Sequence, residues 1–216
     1  MTALVGSRAP GLSQLMRAGS RAEHTAAESS EFIERLLDGR ADRAEYATYL
    51  RRLAAVYDAL ESVGREYADD PFVAAVADPV LERGEALAAD LDYWAGAGWR
   101  ETPLDSPATE AYVERIHAAA AQWCGLYVAH HYTRYLGDLS GGQAIGRVIA
   151  RTYDLPKGVG VAFYDFVGIP KPKPYKDAYR ERLDALDVDA VDQQRVVSEV
   201  KLAFRMNESV FAELSR

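Results

Sequence analysis

The sequence predicts an all-α fold, because hydrophobic residues recur at helical spacing along most of its 216 residues. Two helix starts carry residues that favour a first turn: Asp42 with Glu45 forms a capping-box pattern, and Pro107 suits the first helical position. The one β-like run, 158–164, is too short and too rich in glycine to found a sheet. We therefore expect a single-domain helical bundle over residues 1–216.

The first half of the chain contains three strong helical patterns. The first covers residues 17–28. The second begins after Asp42 and has an apolar stripe made of Tyr46, Tyr49, Leu50, Leu53, Val56, Tyr57 and Leu60. The third is predicted to begin at Pro79 and to end at Gly96, since proline favours a helix start and glycine a helix end.

The second half contains one long helix and one terminal helix. We expect the long helix to begin at Pro107 and to continue through the glycine-rich segment 132–143. A proline-rich connector, 169–175, is predicted to be non-helical. Apolar residues from Val191 to Leu214 mark the last helix.

Composition and charge limit the classes of binding partner and the cellular location that we expect for this chain. A formal charge of −8 disfavours nucleic acid and anionic membrane as general partners. Cys124 is the sole cysteine, which excludes an intramolecular disulfide and fits a cytoplasmic location. We see neither a signal peptide nor a C-terminal hydrophobic anchor, and the uncharged run 116–133 fits a buried helix better than a membrane span.

The glycine-rich segment is the most informative feature of the chain. Each glycine inside a helix costs about 1 kcal/mol relative to alanine, and four of them lie between positions 137 and 146. Gly137 and Gly141 share one face and open a slot in which a flat ligand can touch the backbone. Asp138 lies beside this slot, and Arg134 lies one helical turn before Asp138. Close packing between two helices is the alternative explanation for such a pair.

The residues 134–143, RYLGDLSGGQ, resemble the distal-helix motif of the heme oxygenases, enzymes that open heme to biliverdin, carbon monoxide and iron. The resemblance extends from about residue 12 to residue 214. It implies that heme b is both substrate and cofactor, held between a proximal helix and a glycine-kinked distal helix. It also implies that Asp138, through an ordered water, protonates bound O2, and that Gly137 and Gly141 leave space for that oxygen. We expect Asp138 to be buried and ionised.

A cationic face near the N-terminus fits the proximal side. Arg17, Arg21, His24 and Glu28 lie at offsets of four, three and four, which places them on one helical face. Imidazole can ligate iron through one nitrogen while Glu28 accepts from the other. A solvated surface face is the alternative. The resemblance implies that His24 is the iron ligand, Glu28 its partner, and the two arginines propionate contacts.

A second basic group follows the proline-rich connector. It contains Lys171, Lys173, Lys176, Arg180 and Arg182. Lys176 and Arg180 are four residues apart and can reach one anion, although a solvated face explains such a run equally well. The resemblance implies that these two residues bind propionates and fix the rotation of heme, which favours attack at the α meso carbon.

The remaining polar candidates are assigned by the resemblance. It implies that Tyr57, Tyr132, Arg134 and Asp138 organise a distal water network, and that Phe204 and Asn207 border the pocket. Three other histidines compete as ligands. Glu114 and His117 form a lone ExxH pair, which is weak support for a di-iron site. We expect His130 and His131 to be buried and hydrogen-bonded.

The activity implied is oxidative heme cleavage for iron release, with electrons from an external ferredoxin or flavoprotein reductase. A heme carrier or sensor is the alternative, since it needs His24 and the basic residues but not Asp138 with its glycine neighbours. A non-heme oxidase or a thiamin-salvage enzyme of similar fold is a further alternative. It would need metal carboxylates or an activated nucleophile, and Cys124 has no evident base.

Overall fold

The computed structural model describes residues 10–215, and these residues form helices and loops without a β-strand. The all-α prediction is confirmed. The helices are α1 (Leu12–Gly19), α2 (Arg21–Glu28), α3 (Glu31–Leu37), α4 (Arg43–Glu66), α5 (Pro71–Val76), α6 (Gly84–Ala95), α7 (Pro107–Gln122), α8 (Cys124–Gly137), α9 (Gln143–Thr152), α10 (Pro172–Asp184) and α11 (Ala190–Leu214). A π-helical turn, Asp138–Gly142, joins α8 to α9.

The capping box predicted for α4 is present. The Asp42 carboxylate accepts from the backbone N–H groups of Ala44 and Glu45, and the Glu45 side chain accepts from the Asp42 N–H at 2.7 Å. Both ends of this exchange satisfy N–H groups that the first helical turn leaves free. The apolar stripe of α4 is buried against α6 and α7.

Two predicted helices are each interrupted. The N-terminal pattern divides at Ser20, whose ψ of 15° departs from the helical value and whose hydroxyl bonds the Met16 carbonyl. The long helix predicted from Pro107 breaks at Trp123, which is extended at φ −175° and ψ 121°. The prediction of one continuous helix from Pro107 through the glycine-rich segment is therefore wrong. The helix that reaches this segment begins at Cys124.

Two proline-based boundaries also differ from the prediction. Pro79 begins a short 3₁₀ turn that ends at Leu81, and α6 starts only at Gly84. The prediction that 169–175 is non-helical is wrong in its second half, because α10 begins at Pro172. Proline is tolerated there because the first N–H groups of a helix need no intrahelical partner.

The centre of the molecule is α8. It packs against α5, α7 and α11, while α11 also contacts α1, α2 and α3. Apolar side chains from these helices merge into one buried cluster. Within residues 10–215, no helix combines the length and apolar character that a membrane crossing requires.

Candidate active site

The four glycines divide into two pairs with different surroundings. A Cβ placed on Gly137 or on Gly141 meets no atom within 4 Å, so both positions face open space. A Cβ on Gly142 lies 3.1 Å from the Tyr164 ring, and one on Gly146 lies 2.9 Å from the Tyr164 Cβ. The first pair forms the slot expected from the sequence, whereas the second pair allows close packing.

The slot coincides with the π-helical turn. Such a turn inserts one extra residue into an α-helix and is frequent at functional sites. Gly137 and Gly141 are exposed here, while Asp138, between them in sequence, is buried. The helix therefore presents bare backbone on one side and a carboxyl group on the inner side.

A buried hydrogen-bonded cluster surrounds Asp138. The Tyr57 hydroxyl donates to the Asp138 carboxyl, and Arg134 Nη2 lies 3.4 Å from the other carboxyl oxygen. Arg134 Nη1 donates to Asn207 Oδ1 at 2.7 Å, while its Nε has no hydrogen-bond partner among residues 10–215. Four residues from α4, α8 and α11 and the π turn thus meet at one point, which we call the distal cluster.

Two tyrosines extend this cluster beyond the predicted set. Tyr112 accepts from Asn207 Nδ2 at 3.4 Å. Burial raises the pKa of Tyr49 to about 12, and the nearby positive charge of Arg134 opposes that rise. Both lie in apolar stripes at helical spacing, where a tyrosine is usually a core residue. Only the three-dimensional fold assigns them to the cluster.

Burial raises the pKa of the Asp138 carboxyl well above its ordinary value. Burial disfavours the charged form, and the Arg134 contact at 3.4 Å is too long for a strong ion pair. The carboxyl therefore keeps a proton to higher pH than an exposed aspartate does. This direction does not support the expectation of an ionised Asp138.

His24 lies on the exposed face of α2, with its side chain 49% accessible. Its Nδ1 is 3.2 Å from Glu28 Oε2, which leaves Nε2 as the nitrogen available to a ligand. The Phe204 ring of α11 packs edge-on against the imidazole, with centroids 5.4 Å apart. The imidazole is thus held from two sides with one nitrogen free.

Helix α11 connects His24 with the distal cluster. Phe204 contacts the His24 ring, and Asn207, three residues later, bonds Arg134. Residues three apart on a helix are surface neighbours. The imidazole and the buried carboxyl cluster therefore approach the same region of the molecule from α2 and α8.

Cationic side chains border this region. Arg17 and Arg21 are exposed on α1 and α2. Burial raises the pKa of Tyr132, and the positive charges of Arg180 and Arg17 oppose the rise, which places this hydroxyl near both arginines. No direct hydrogen bond among the described residues joins Tyr132 to Asp138, and the assignment of Tyr132 to the distal water network stays a prediction.

The second basic group is only partly free. Lys176 Nζ donates to Ser140 Oγ at 2.9 Å, which connects α10 to the π turn. Arg180 and Lys173 both pair with Asp177 at 3.0 Å. Burial lowers the pKa of Lys176, and the charge of Arg180 lowers it further. Two cations that repel each other at one helix edge favour an anion between them.

Arg182 belongs to the fold rather than to this edge. Its Nε donates to the Ala75 carbonyl at 2.8 Å, and its guanidinium lies over the rings of Tyr175 and Tyr179.

The other histidines have the surroundings predicted for them. His130 and His131 are buried; the first bonds Glu199 at 2.8 Å, and the second bonds the Tyr179 hydroxyl at 2.9 Å. This prediction is confirmed. His117 is exposed, and residues 10–215 contain no group of three or more His, Cys, Asp or Glu that could hold a metal ion. Burial raises the pKa of the Cys124 thiol to about 11, which makes it a poor nucleophile.

These features fit a heme. The glycine pair accepts a flat ring, and the unpartnered Arg134 Nε lies beside the buried carboxyl. His24 offers one free nitrogen to iron, and Arg17, Lys176 and Arg180 offer positive charge to carboxylates.

The chain resembles known proteins over nearly its whole length. Residues 10–213 match the family model described as heme oxygenase. Heme oxygenase 1 of Nostoc sp. is 39% identical, over 94% of this chain and 85% of the relative. The human heme oxygenase 1 is 37% identical, over 94% and 71%. The crystal structure of heme oxygenase-2 from Synechocystis sp. with heme and NO superposes with a TM-score of 0.91 at 36% identity, over 95% of this chain and 85% of that one. This chain belongs to the heme oxygenase family.

Proposed function

We propose that this chain cleaves heme to biliverdin, carbon monoxide and ferrous iron, with His24 as the iron ligand and Asp138 as the proton-delivering group. Cleavage of heme to biliverdin is the activity of the family, and the chain is an enzyme of that family. The observation that carries the residue assignment is the open slot at Gly137 and Gly141 beside the buried distal cluster. We infer that residues 1–216 act as one domain.

Heme, when bound, supplies the iron that takes O2 and the porphyrin ring that is oxidised. The chain supplies geometry and protons. Glu28 orients the His24 imidazole through Nδ1, and Phe204 limits rotation of the ring. Imidazole donates less electron density than a thiolate does, so the distal side decides how bound oxygen reacts.

Asp138 is suited to proton delivery. Burial raises its pKa well above the ordinary value, so the carboxyl keeps a proton, which it can donate, up to a higher pH than an exposed aspartate does. The Tyr57 hydroxyl and the Arg134 guanidinium hold the carboxyl in place. Gly137 and Gly141 carry no side chain that could protonate oxygen directly, so transfer through a water in the slot is favoured.

Cationic residues orient the ring. Arg17 and Arg21 on one side and Lys176 and Arg180 on the other hold the two propionates, which fixes the rotation of heme and favours the α isomer. Electrons come from an external ferredoxin or flavoprotein reductase that docks at this basic edge, and O2 is the oxidant. We place the reaction in the cytoplasm.

The test compares two buried aspartates. Asp138→Asn and Asp138→Ala are loaded with heme and supplied with O2 and ascorbate, and biliverdin is followed by absorbance. Asp138→Ala should bind heme as the wild type does, but its rate of biliverdin formation should fall by about a hundred-fold or more. The rate of Asp138→Asn should lie between those of Asp138→Ala and the wild type. Asp90→Asn is the matched control, because Asp90 is also buried but accepts from the backbone N–H groups of Ala162 and Phe163 outside the cluster.

Two results would contradict the proposal. Wild-type rates in Asp138→Ala would remove the carboxyl from the mechanism. Failure of the wild-type protein to form biliverdin with a competent electron donor would favour a heme carrier instead.

A further inference from the structure

A buried hydrogen bond joins α8 to α10. His131 Nδ1 lies 2.9 Å from the Tyr179 hydroxyl, and the two rings are nearly parallel at 15°. His131 is 3% exposed and Tyr179 is fully buried. A buried bond of this kind is difficult to replace, because loss of one partner leaves the other without water or protein to bind.

Both members of the pair are neutral at pH 7. Burial, together with the positive charge of Arg182, lowers the pKa of His131 to about 3. Burial raises the pKa of Tyr179 well above its usual range. A neutral imidazole and a phenol each have one donor and one acceptor, so the bond forms without a buried charge.

The bond joins α8, the helix that ends at the glycine slot, to α10, which carries Lys176 and Arg180; we call these two cations the cationic edge. Tyr179 directly precedes Arg180 and follows Lys176 by one helical turn on α10. His131 lies on α8, six residues before Gly137. The one polar contact that links α10 to the π turn, among the described residues, is the exposed bond from Lys176 to Ser140. The Lys176 ammonium leaves Ser140 whenever it turns toward an anion, whereas the buried pair of His131 and Tyr179 stays in place.

We infer that His131 is a positioning residue that selects the site of ring opening. Its bond to Tyr179 acts together with the bond from Arg182 to the Ala75 carbonyl to fix the distance and rotation of α10 relative to the glycine slot, and α10 in turn places Lys176 and Arg180 against the propionates. Loss of the bond lets α10 shift, so heme is held in more than one rotation. This inference rests on the proposed function of the slot and the cationic edge.

Two readouts test it, one of them without heme. Tyr179→Phe and His131→Leu remove the bond, while His131→Asn can restore it, because the asparagine amide reaches the position of Nδ1. Tyr127→Phe is the matched control: it loses a buried hydroxyl that lies near the same histidine but bonds the Leu60 carbonyl on α4. Hydrogen exchange of residues 172–184 is measured in the heme-free protein, and biliverdin isomers are separated after turnover.

Tyr179→Phe and His131→Leu should speed exchange in α10 by about five-fold, which corresponds to the loss of one hydrogen bond, and should yield mixed biliverdin isomers. Tyr127→Phe should do neither, and His131→Asn should recover most of the wild-type isomer. A single unchanged isomer in both disrupting variants overturns the inference, even if exchange increases. The same mixture from Tyr127→Phe overturns it as well, since any loosening would then suffice.

Failure of the proposed function has a separate signature. If the wild type forms no biliverdin, the proposed function fails and the inference on isomer selection falls with it. If the wild type forms one isomer and the variants match it, only the inference fails.

Discussion

Substitution of Gly137 by alanine should stabilise the heme-free protein and impair the enzyme. Gly137 is helical at φ −61° and ψ −52°, and its added Cβ meets no atom within 4 Å. Alanine at such a position gains about 0.5–1 kcal/mol over glycine, because the unfolded chain loses less entropy. For a chain of this size the melting temperature should rise by about 1–4 °C.

The same methyl group should lower the affinity for heme. It projects into the open space that the slot reserves for a flat ring, so heme must shift away from the helix or from bound oxygen. Thermal unfolding of the heme-free protein by circular dichroism, heme titration by absorbance, and the rate of biliverdin formation measure the three effects.

Gly146→Ala is the control of opposite sign. Its Cβ lies 2.9 Å from the Tyr164 Cβ, closer than real contacts allow, so this variant should lose about 1–3 kcal/mol of stability even without heme. If Gly137→Ala destabilises the heme-free protein, the space beside Gly137 is not open. If it is stable and also binds and degrades heme normally, the ring lies elsewhere.

Three further predictions concern the iron ligand, the cationic edge and pH. His24→Ala should lose the histidine-ligated absorbance spectrum and turnover, and added imidazole should restore part of both; full activity would exclude His24 as the ligand. Lys176→Ala with Arg180→Ala should give mixed biliverdin isomers on chromatography rather than an inactive enzyme, and one unchanged isomer would show that both are solvated surface residues. Because the pKa of His131 falls to about 3 in the folded state, the unfolded state binds one more proton between pH 3 and 6.5, and stability is lost as pH falls through that window. Urea unfolding at pH 5 and 6 measures the free energy of unfolding. Its slope with pH should be about 1.4 kcal/mol per pH unit smaller in His131→Asn than in the wild type, and equal slopes would refute the low pKa of His131.

Local signals in the sequence predicted most of the fold. The exchange between Asp42 and Glu45, the stripe of α4 and the end of α6 before Gly96 depend on residues close together in the chain. The breaks at Ser20 and Trp123 were not predictable in the same way. No proline or glycine occupies either position. The helices that flank Ser20, α1 and α2, both pack against α11, and the helices that flank Trp123, α7 and α8, pack against each other, so both breaks accompany contacts between helices.

The candidate site was predictable only in part, for a similar reason. A glycine carries no label that distinguishes open space from tight packing, and Tyr164, which separates the two pairs, lies about twenty residues downstream of the first. Tyr112 and Tyr49 look like core residues in the sequence because their rings are part of the core. Their hydroxyl groups form hydrogen bonds, which the sequence pattern does not reveal. Their second role depends on where Arg134 and Asn207 meet, and no spacing in the sequence encodes that.

The protonation of Asp138 changes how the distal cluster should be understood. Arg134 is nearer to Asn207, at 2.7 Å, than to the carboxyl oxygens, at 3.4 and 3.5 Å, so its charge is not held against Asp138. A tight bidentate pair would have kept the carboxylate ionised and its pKa low. In this looser arrangement desolvation dominates, and it raises the pKa of the carboxyl well above its ordinary value. A fixed anion could only orient a water molecule, whereas the role that we propose for Asp138 requires a carboxyl that also supplies the proton.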